Sequence, residues 1–180
     1  MNLLLLALLI SQTQGEPLKT NGLIARTVLI ENERGQGTGV VFDTGVVLTC
    51  KHLVGIKTYV NGIPAEVIRI DSSSDLAFLK VPTSKVEALN LAEKYSQDEE
   101  IFYIGNPLNH KFVVARGRVV DIDGRDVYID AHLSFGASGS PVYNKQGELV
   151  GIVRALEGGT GSGYPFGIVI PADVIGAFVR

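Results

Sequence analysis

Three short segments of the 180-residue chain carry side chains that together hold every part acyl transfer needs. In Val46-Val-Leu-Thr-Cys-Lys-His-Leu-Val54, His52 follows a strand-like apolar run; the other histidines are His110 and His132. In Asp71-Ser-Ser-Ser-Asp-Leu-Ala-Phe-Leu-Lys80, Asp75 opens an apolar run, with Asp71 competing four positions earlier. In Gly136-Ala-Ser-Gly-Ser-Pro141, Ser138 sits in a glycine-flanked turn. A serine hydroxyl is a poor nucleophile until a base takes its proton; histidine does so near neutral pH, and a buried carboxylate fixes its tautomer. Glycines beside the serine let backbone N–H groups converge where charge develops on the attacked carbonyl oxygen. Each segment has a plainer reading alone: a core histidine, a strand-end aspartate, a Ser-Gly turn. Their joint presence favours the chemical one.

The side chains in question must be positioned by short elements. From Leu23 onward the chain alternates apolar runs of four to eight residues, rich in Val, Ile, Phe and Tyr, with turn residues. The runs are Thr27–Glu31, Gly39–Phe42, Val46–Thr49, Thr58–Val60, Ala65–Ile70 and Leu76–Val81, then Ile101–Ile104, Phe112–Asp121, Asp126–Asp130, Pro141–Tyr143, Leu149–Ala155 and Phe166–Ile170. Such spacing predicts an all-β fold rather than βαβ units. The polar stretch 82–100 divides the runs into two groups, about 22–81 and 101–171, within one domain spanning 16–180. Val86–Ser96 is expected to be partly helical, and 172–180, following Pro171, reads as a short closing helix.

Composition removes other classes. With 46% hydrophobic and 19% charged residues, the chain is neither disordered nor highly charged. A net charge of −3 gives no electrostatic footprint for nucleic acid. The lone Cys50 cannot form an internal disulfide and reads as a small buried hydrophobe. No Cys/His cluster has zinc spacing, and Asp121, Asp123 and Asp126 lack an EF-hand ligand set, so no metal or other cofactor is expected. At the N-terminus, Asn2–Ile10 is an apolar run followed by small and polar residues. Its nine residues are too short to span roughly 30 Å of hydrocarbon but suit a signal peptide over 1–15. A secreted or periplasmic location follows, with association to a membrane only if the segment stays uncleaved.

The segments GTGVVFDTGVVLTCKHLV, SSDLAFLKV, FYIGNP and GASGSPVYNKQGELVGIV resemble chymotrypsin-fold serine proteases, within them the HtrA-like proteases and the related glutamyl endopeptidases. The resemblance runs in order from about Gly35 to Ile175 and covers a protease domain without a PDZ region. It implies two packed six-stranded antiparallel β-barrels with the site in the cleft between them. It implies His52 as general base, Asp75 as orienting carboxylate and Ser138 as nucleophile, with the Gly136 and Ser138 N–H groups forming the oxyanion hole. Ala137 stands where the HtrA-like pattern has Asn, and Ser140 where it has a second Gly.

The same resemblance implies substrate-binding residues. His132, six residues before Ser138, falls at the base of the specificity pocket; a hydrogen-bonded edge histidine is the alternative. Val153, Arg154, Ala155 and Leu156 would form the edge strand on which a peptide lies extended. Their apolar members favour a small or medium aliphatic side chain before the cut. Val153 occupies the place of the histidine that glutamyl endopeptidases use, which argues against that route to glutamate selectivity. The function expected is a serine endopeptidase acting on protein or peptide substrates. A catalytically silent peptide-binding homologue and a narrow-specificity, viral-type processing protease are the alternatives, and the oligomeric state stays open.

Overall fold

The computed structural model describes residues 20–157 and 166–180, in which short strands turn apolar side chains toward two interiors. A short helix α1 (Thr20–Ile24) leads into β1 (Thr27–Asn32), β2 (Gly35–Asp43) and β3 (Val46–Cys50), then a 3₁₀ turn (Lys51–Leu53). The first half ends with β4 (Thr58–Val60), β5 (Ile63–Pro64), β6 (Glu66–Asp71) and β7 (Leu76–Lys80). The second half comprises β8 (Glu100–Gly105), a 3₁₀ turn (Pro107–Asn109), β9 (Val113–Asp123), β10 (Asp126–Ile129), β11 (Pro141–Asn144), β12 (Leu149–Glu157) and β13 (Phe166–Pro171). It closes with helix α2 (Ala172–Val179). The all-β architecture and the closing helix match the expectation. The expected signal segment, 1–15, lies outside the described residues.

The second unit is a closed six-stranded barrel in the order β10-β13-β12-β11-β8-β9. The first differs from a closed six-stranded ring: it is a curled seven-stranded sheet in the order β5-β4-β1-β2-β3-β7-β6. The additional strand, β5, has two residues and pairs only with β4. At the other end β6 pairs only with β7, and its side chains from Glu66 to Ile70 are exposed on both faces. A strand with no buried face has no apolar drive to close the ring.

Alternation in β8 explains how the units join. Ile101 and Tyr103 point into the second barrel's core with Val119, Val127, Ile129 and Val169. Phe102 and Ile104 point the other way, into a core shared with Ile30, Val40, Leu48 and Leu79 of the first sheet. The interface is therefore continuous with the first unit's interior, and each large apolar side chain buried there contributes roughly 1.5–3 kcal/mol. Helix α2 adds to this seam: Phe178 stacks on Phe78 of β7 with ring centroids 4.8 Å apart, and the Arg69 guanidinium lies 4.7 Å from the Phe178 ring.

The stretch Val86–Ser96 is not helical, contrary to its composition. Its backbone is engaged elsewhere: Leu89 N–H donates to Phe42 O (2.8 Å), and Asn90 O and Ala92 N–H pair with Leu149 (2.8 and 2.9 Å). Tertiary pairing overrides weak helix propensity. Among the described residues, no helix is long and apolar enough to cross a membrane.

Candidate active site

His52 is delivered by β3, whose last residues are buried, followed by the 3₁₀ turn that swings the imidazole out to partial exposure. Asp75 lies at the end of the β6–β7 turn with a left-handed φ of 57°, and β7 pairs directly with β3. Three bonds tie the two residues' segments. Asp75 O accepts from Lys51 N–H at 2.8 Å, Oδ1 accepts from His52 N–H at 2.9 Å, and Oδ2 lies 2.7 Å from His52 Nδ1. An ionised carboxylate can only accept, so Nδ1 carries the proton and Nε2 keeps its lone pair free.

The Asp75 carboxyl is the charged member of the pair. Burial pushes its pKa up, but the His52 hydrogen bonds, the positive charge His52 can carry, and Arg154 outweigh burial and leave it below the ordinary value. The competing Asp71 is bound instead to the backbone N–H (2.9 Å) and hydroxyl (2.6 Å) of Ser73. Hydrogen bonds from Ser73 and Ser74 lower its carboxyl to about 2. It is a turn-forming residue with no bond to His52.

Ser138 arrives from the second unit, on a turn bracketed by Gly136 (φ 92°) and Gly139 (φ 81°), conformations an L side chain rarely adopts. A Cβ on Gly136 would also run into Asn106 O, and one on Gly139 into Thr38 O. The two halves meet over Gly37 of β2, where a Cβ would sit 2.5 Å from the Leu53 side chain and 3.1 Å from Ser138 O. Leu53 follows His52 directly, so the 3₁₀ turn and the serine turn share one small space. Cys50 Sγ bridges the same seam by donating to Val153 O at 3.3 Å. The Ser138 hydroxyl donates to Arg154 O at 3.3 Å, and no hydrogen bond joins it to His52 in this state. Hydrogen bonds of this kind commonly tighten only when substrate is bound.

Among the described residues, the Gly136 and Ser138 N–H groups have no acceptor. The two departures from the HtrA-like pattern are accommodated: Ala137 is buried in the second barrel's core, and Ser140 Oγ lies over Gly105, which has no side chain to obstruct it.

The remaining candidates divide. His132 is exposed, and its carbonyl accepts from Tyr103 OH at 2.7 Å. Val153 is buried in the barrel core, with its N–H bonded to Ser140 O (2.9 Å) and its O accepting from Gly139 N–H (2.7 Å). Its backbone is therefore committed inside the protein. Pairing of β12 with β11 ends at Ile152, whereas pairing with β13 continues through Glu157. Among the described residues, Arg154, Ala155 and Leu156 thus keep one backbone edge without a neighbouring strand. The Arg154 side chain turns away to Asp126 of β10, with an Nη2–Oδ2 distance of 2.8 Å. This ion pair was not foreseen from the sequence, because it links residues 28 positions apart.

Cys50, His52 and Asp75 place one ligand atom each within 4.8 Å of one another. A metal there would need the Cys50 thiolate, yet the thiol is fully buried and donates to Val153 O. Burial, and then the negative charge of Asp75, push its pKa far up. The donor set does not suit a metal.

Residues 37–152 match the trypsin-like peptidase domain. The chain is 29% identical over 163 residues to a probable periplasmic serine endoprotease, DegP-like, of Hahella chejuensis, covering 79% of this chain and 34% of that protein. It is 31% identical over 166 residues to the serine endoprotease DegS of Haemophilus influenzae, covering 80% and 49%. The chain spans about a third of the length of the DegP-like relatives. Among solved structures, the serine endoprotease from Yersinia pestis aligns with a TM-score of 0.74 and 28% identity, covering 91% of this chain and 66% of that one. A protease from M. tuberculosis in its active form shares the fold at a TM-score of 0.73 and 22% identity, covering 90% and 84%. A match over more than half of its length places the chain in the trypsin-like peptidase family.

Proposed function

We propose that the chain is a serine endopeptidase that cleaves proteins or peptides through an acyl-enzyme on Ser138. The observation that carries this reading is the clamp of Asp75 on His52, which fixes the tautomer that leaves the Nε2 lone pair free to take a proton. On substrate binding, Ser138 Oγ leaves Arg154 O, gives its proton to His52 Nε2 and attacks the scissile carbonyl. The carbonyl oxygen takes up negative charge before the Gly136 and Ser138 N–H groups. Protonated His52 then gives its proton to the leaving amine, and water repeats the sequence to release the acid. No cofactor enters.

The substrate lies extended against the open edge of Arg154–Leu156, as a peptide adding one strand to β12. Partly exposed Leu156 favours a small or medium aliphatic side chain before the cut, and His132 remains a candidate for the pocket floor. The DegP-like relatives are named as periplasmic, and with the apolar N-terminal segment this supports export of the chain. N-terminal sequencing of the mature protein should begin near Gly15 or Glu16.

One observation favours the silent peptide-binding alternative: the resting Ser138 hydroxyl is bonded to Arg154 O and not to His52. Labelling with a fluorophosphonate separates the two. Folded wild type should label on Ser138, and the Ser138→Ala variant should not. Wild type that folds yet stays unlabelled would sink the enzyme reading.

A further inference from the structure

The serine turn is held by a residue of the other unit. Thr38 of β2 is fully buried, and all of its polar groups are spent around Ser138. Its N–H donates to Ser138 O at 2.8 Å, and its O accepts from Thr49 Oγ1 at 2.7 Å. Its Oγ1 accepts from Asn106 N–H at 3.0 Å and from Asn106 Nδ2 at 3.2 Å, and donates to Gly136 O at 2.9 Å. A hydroxyl has one hydrogen and two lone pairs. Both Asn106 groups are donors, so the lone pairs are filled and the hydrogen is left for Gly136 O.

Four consecutive peptide units then sort into two kinds. The unit joining Gly136 to Ala137 is held at both ends, its carbonyl by Thr38 Oγ1 and its N–H by Ser134 O at 3.0 Å. The unit joining Ser138 to Gly139 is likewise held at both ends, by Thr38 N–H and by Val153 O at 2.7 Å. The units joining Phe135 to Gly136 and Ala137 to Ser138 have only their carbonyls engaged, by Leu108 N–H at 2.8 Å and Ser140 N–H at 2.9 Å. Their N–H groups, those of Gly136 and Ser138, are the two left for an oxyanion. Thr38 grips the peptide units on both sides of the Ser138 N–H.

We propose that Thr38 is a positioning residue for the oxyanion hole, its hydroxyl fixing the Gly136–Ala137 peptide so that the flanking N–H groups converge. The assignment rests on the proposed serine endopeptidase activity. Thr38→Val keeps the branched shape but leaves Gly136 O without its donor and Asn106 N–H without its acceptor, while Asn106 Nδ2 keeps only Val28 O. The Gly136–Ala137 peptide, beside a glycine at φ 92°, is then held only through Ala137 N–H on Ser134 O. Thr38→Ser keeps the hydroxyl.

The test measures kcat and KM on a fluorogenic peptide, with affinities for a peptide boronic acid, whose adduct with Ser138 places an oxygen in the hole, and for the product peptide. Thr38→Val should lower kcat about 10–100-fold and weaken the boronate by a similar factor. KM and product affinity should stay within about twofold, and Thr38→Ser should lie within about threefold of wild type. A merely structural role would lower the melting temperature while leaving the boronate-to-product affinity ratio unchanged, and that result overturns the assignment. So does a Thr38→Val kcat within about twofold of wild type. If Thr38→Val does not fold, Thr38→Cys, with its weaker donor, should show the same loss in kcat at unchanged KM, and a wild-type kcat there overturns the assignment. Wild type that neither cleaves the peptide nor binds the boronate removes the underlying activity itself, an outcome distinct from an active wild type matched by its variants.

Discussion

Asp75 holds His52 by two different atoms of the same histidine: one carboxylate oxygen takes the backbone N–H at 2.9 Å, and the other takes Nδ1 at 2.7 Å. Main chain and ring are thus referenced to one carboxylate, which leaves the imidazole little freedom to turn. Because Asp75 sits at φ 57°, its replacement must tolerate left-handed backbone, and Asn does so better than Ala. Asp75→Asn should keep the fold while offering an amide that stabilises the wrong imidazole tautomer. Turnover should fall about 10⁴-fold with little change in melting temperature. Steady-state kinetics beside a thermal melt check this, and an Asp75→Asn enzyme within about tenfold of wild type would remove Asp75 from the triad.

The same carboxylate makes stability depend on pH in a definite direction. Its folded pKa lies below the ordinary value, so its contribution is full above the unfolded pKa, about 4, and is lost as pH falls through the folded one. Urea unfolding from about pH 5 down to pH 2 should therefore show a steeper loss for wild type than for Asp75→Asn. Asp71, lowered to about 2, contributes to both proteins alike and drops out of the difference.

The Arg154–Asp126 pair spans two strands that are not neighbours, since β13 lies between β12 and β10. Asp126 Oδ1 is buried without a partner, so Oδ2 and its arginine carry the compensation for that charge. Arg154→Met should destabilise the protein by about 1–3 kcal/mol, because it strands a partly buried carboxylate. Adding Asp126→Val should recover most of that loss. A double-mutant cycle by urea unfolding measures the coupling, and additive single effects would refute it.

Cys50 should be chemically silent in the native protein. Its thiol is fully buried, donates to Val153 O, and is pushed up first by burial and second by the charge of Asp75. Iodoacetamide at pH 8 should label it only after denaturation. Rapid native labelling, followed by mass spectrometry, would indicate that the seam between the units opens.

Much of the site was legible in the sequence because its chemistry is concentrated in short motifs: a rare histidine after a strand, an aspartate opening one, a serine between glycines. Thr38 was not, although it makes two hydrogen bonds to the serine turn. It works through backbone groups 98 and 100 positions away, and nothing about a threonine in a strand marks such a partner. The direction of the Arg154 side chain was not legible either, because it depends on Asp126, 28 positions away. The open first sheet escaped for a similar reason. Whether β5 and β6 join depends on where their faces point, and neither carries a buried stripe. Val86–Ser96 has a helical composition, but its carbonyls and amides were already claimed by strand ends on either side.

The stacking of Phe178 on Phe78 has a consequence for the order of events in synthesis. Phe78 belongs to the first unit and Phe178 to the last helix, so the first sheet emerges from the ribosome with an aromatic surface that a segment 100 residues later must cover. Until that segment arrives, the early half has reason to stay loose or to be sheltered by a chaperone. Ser138 and its turn are also made well before the cover. Docking of α2 on β7 therefore comes after the first sheet and the serine turn have both been made.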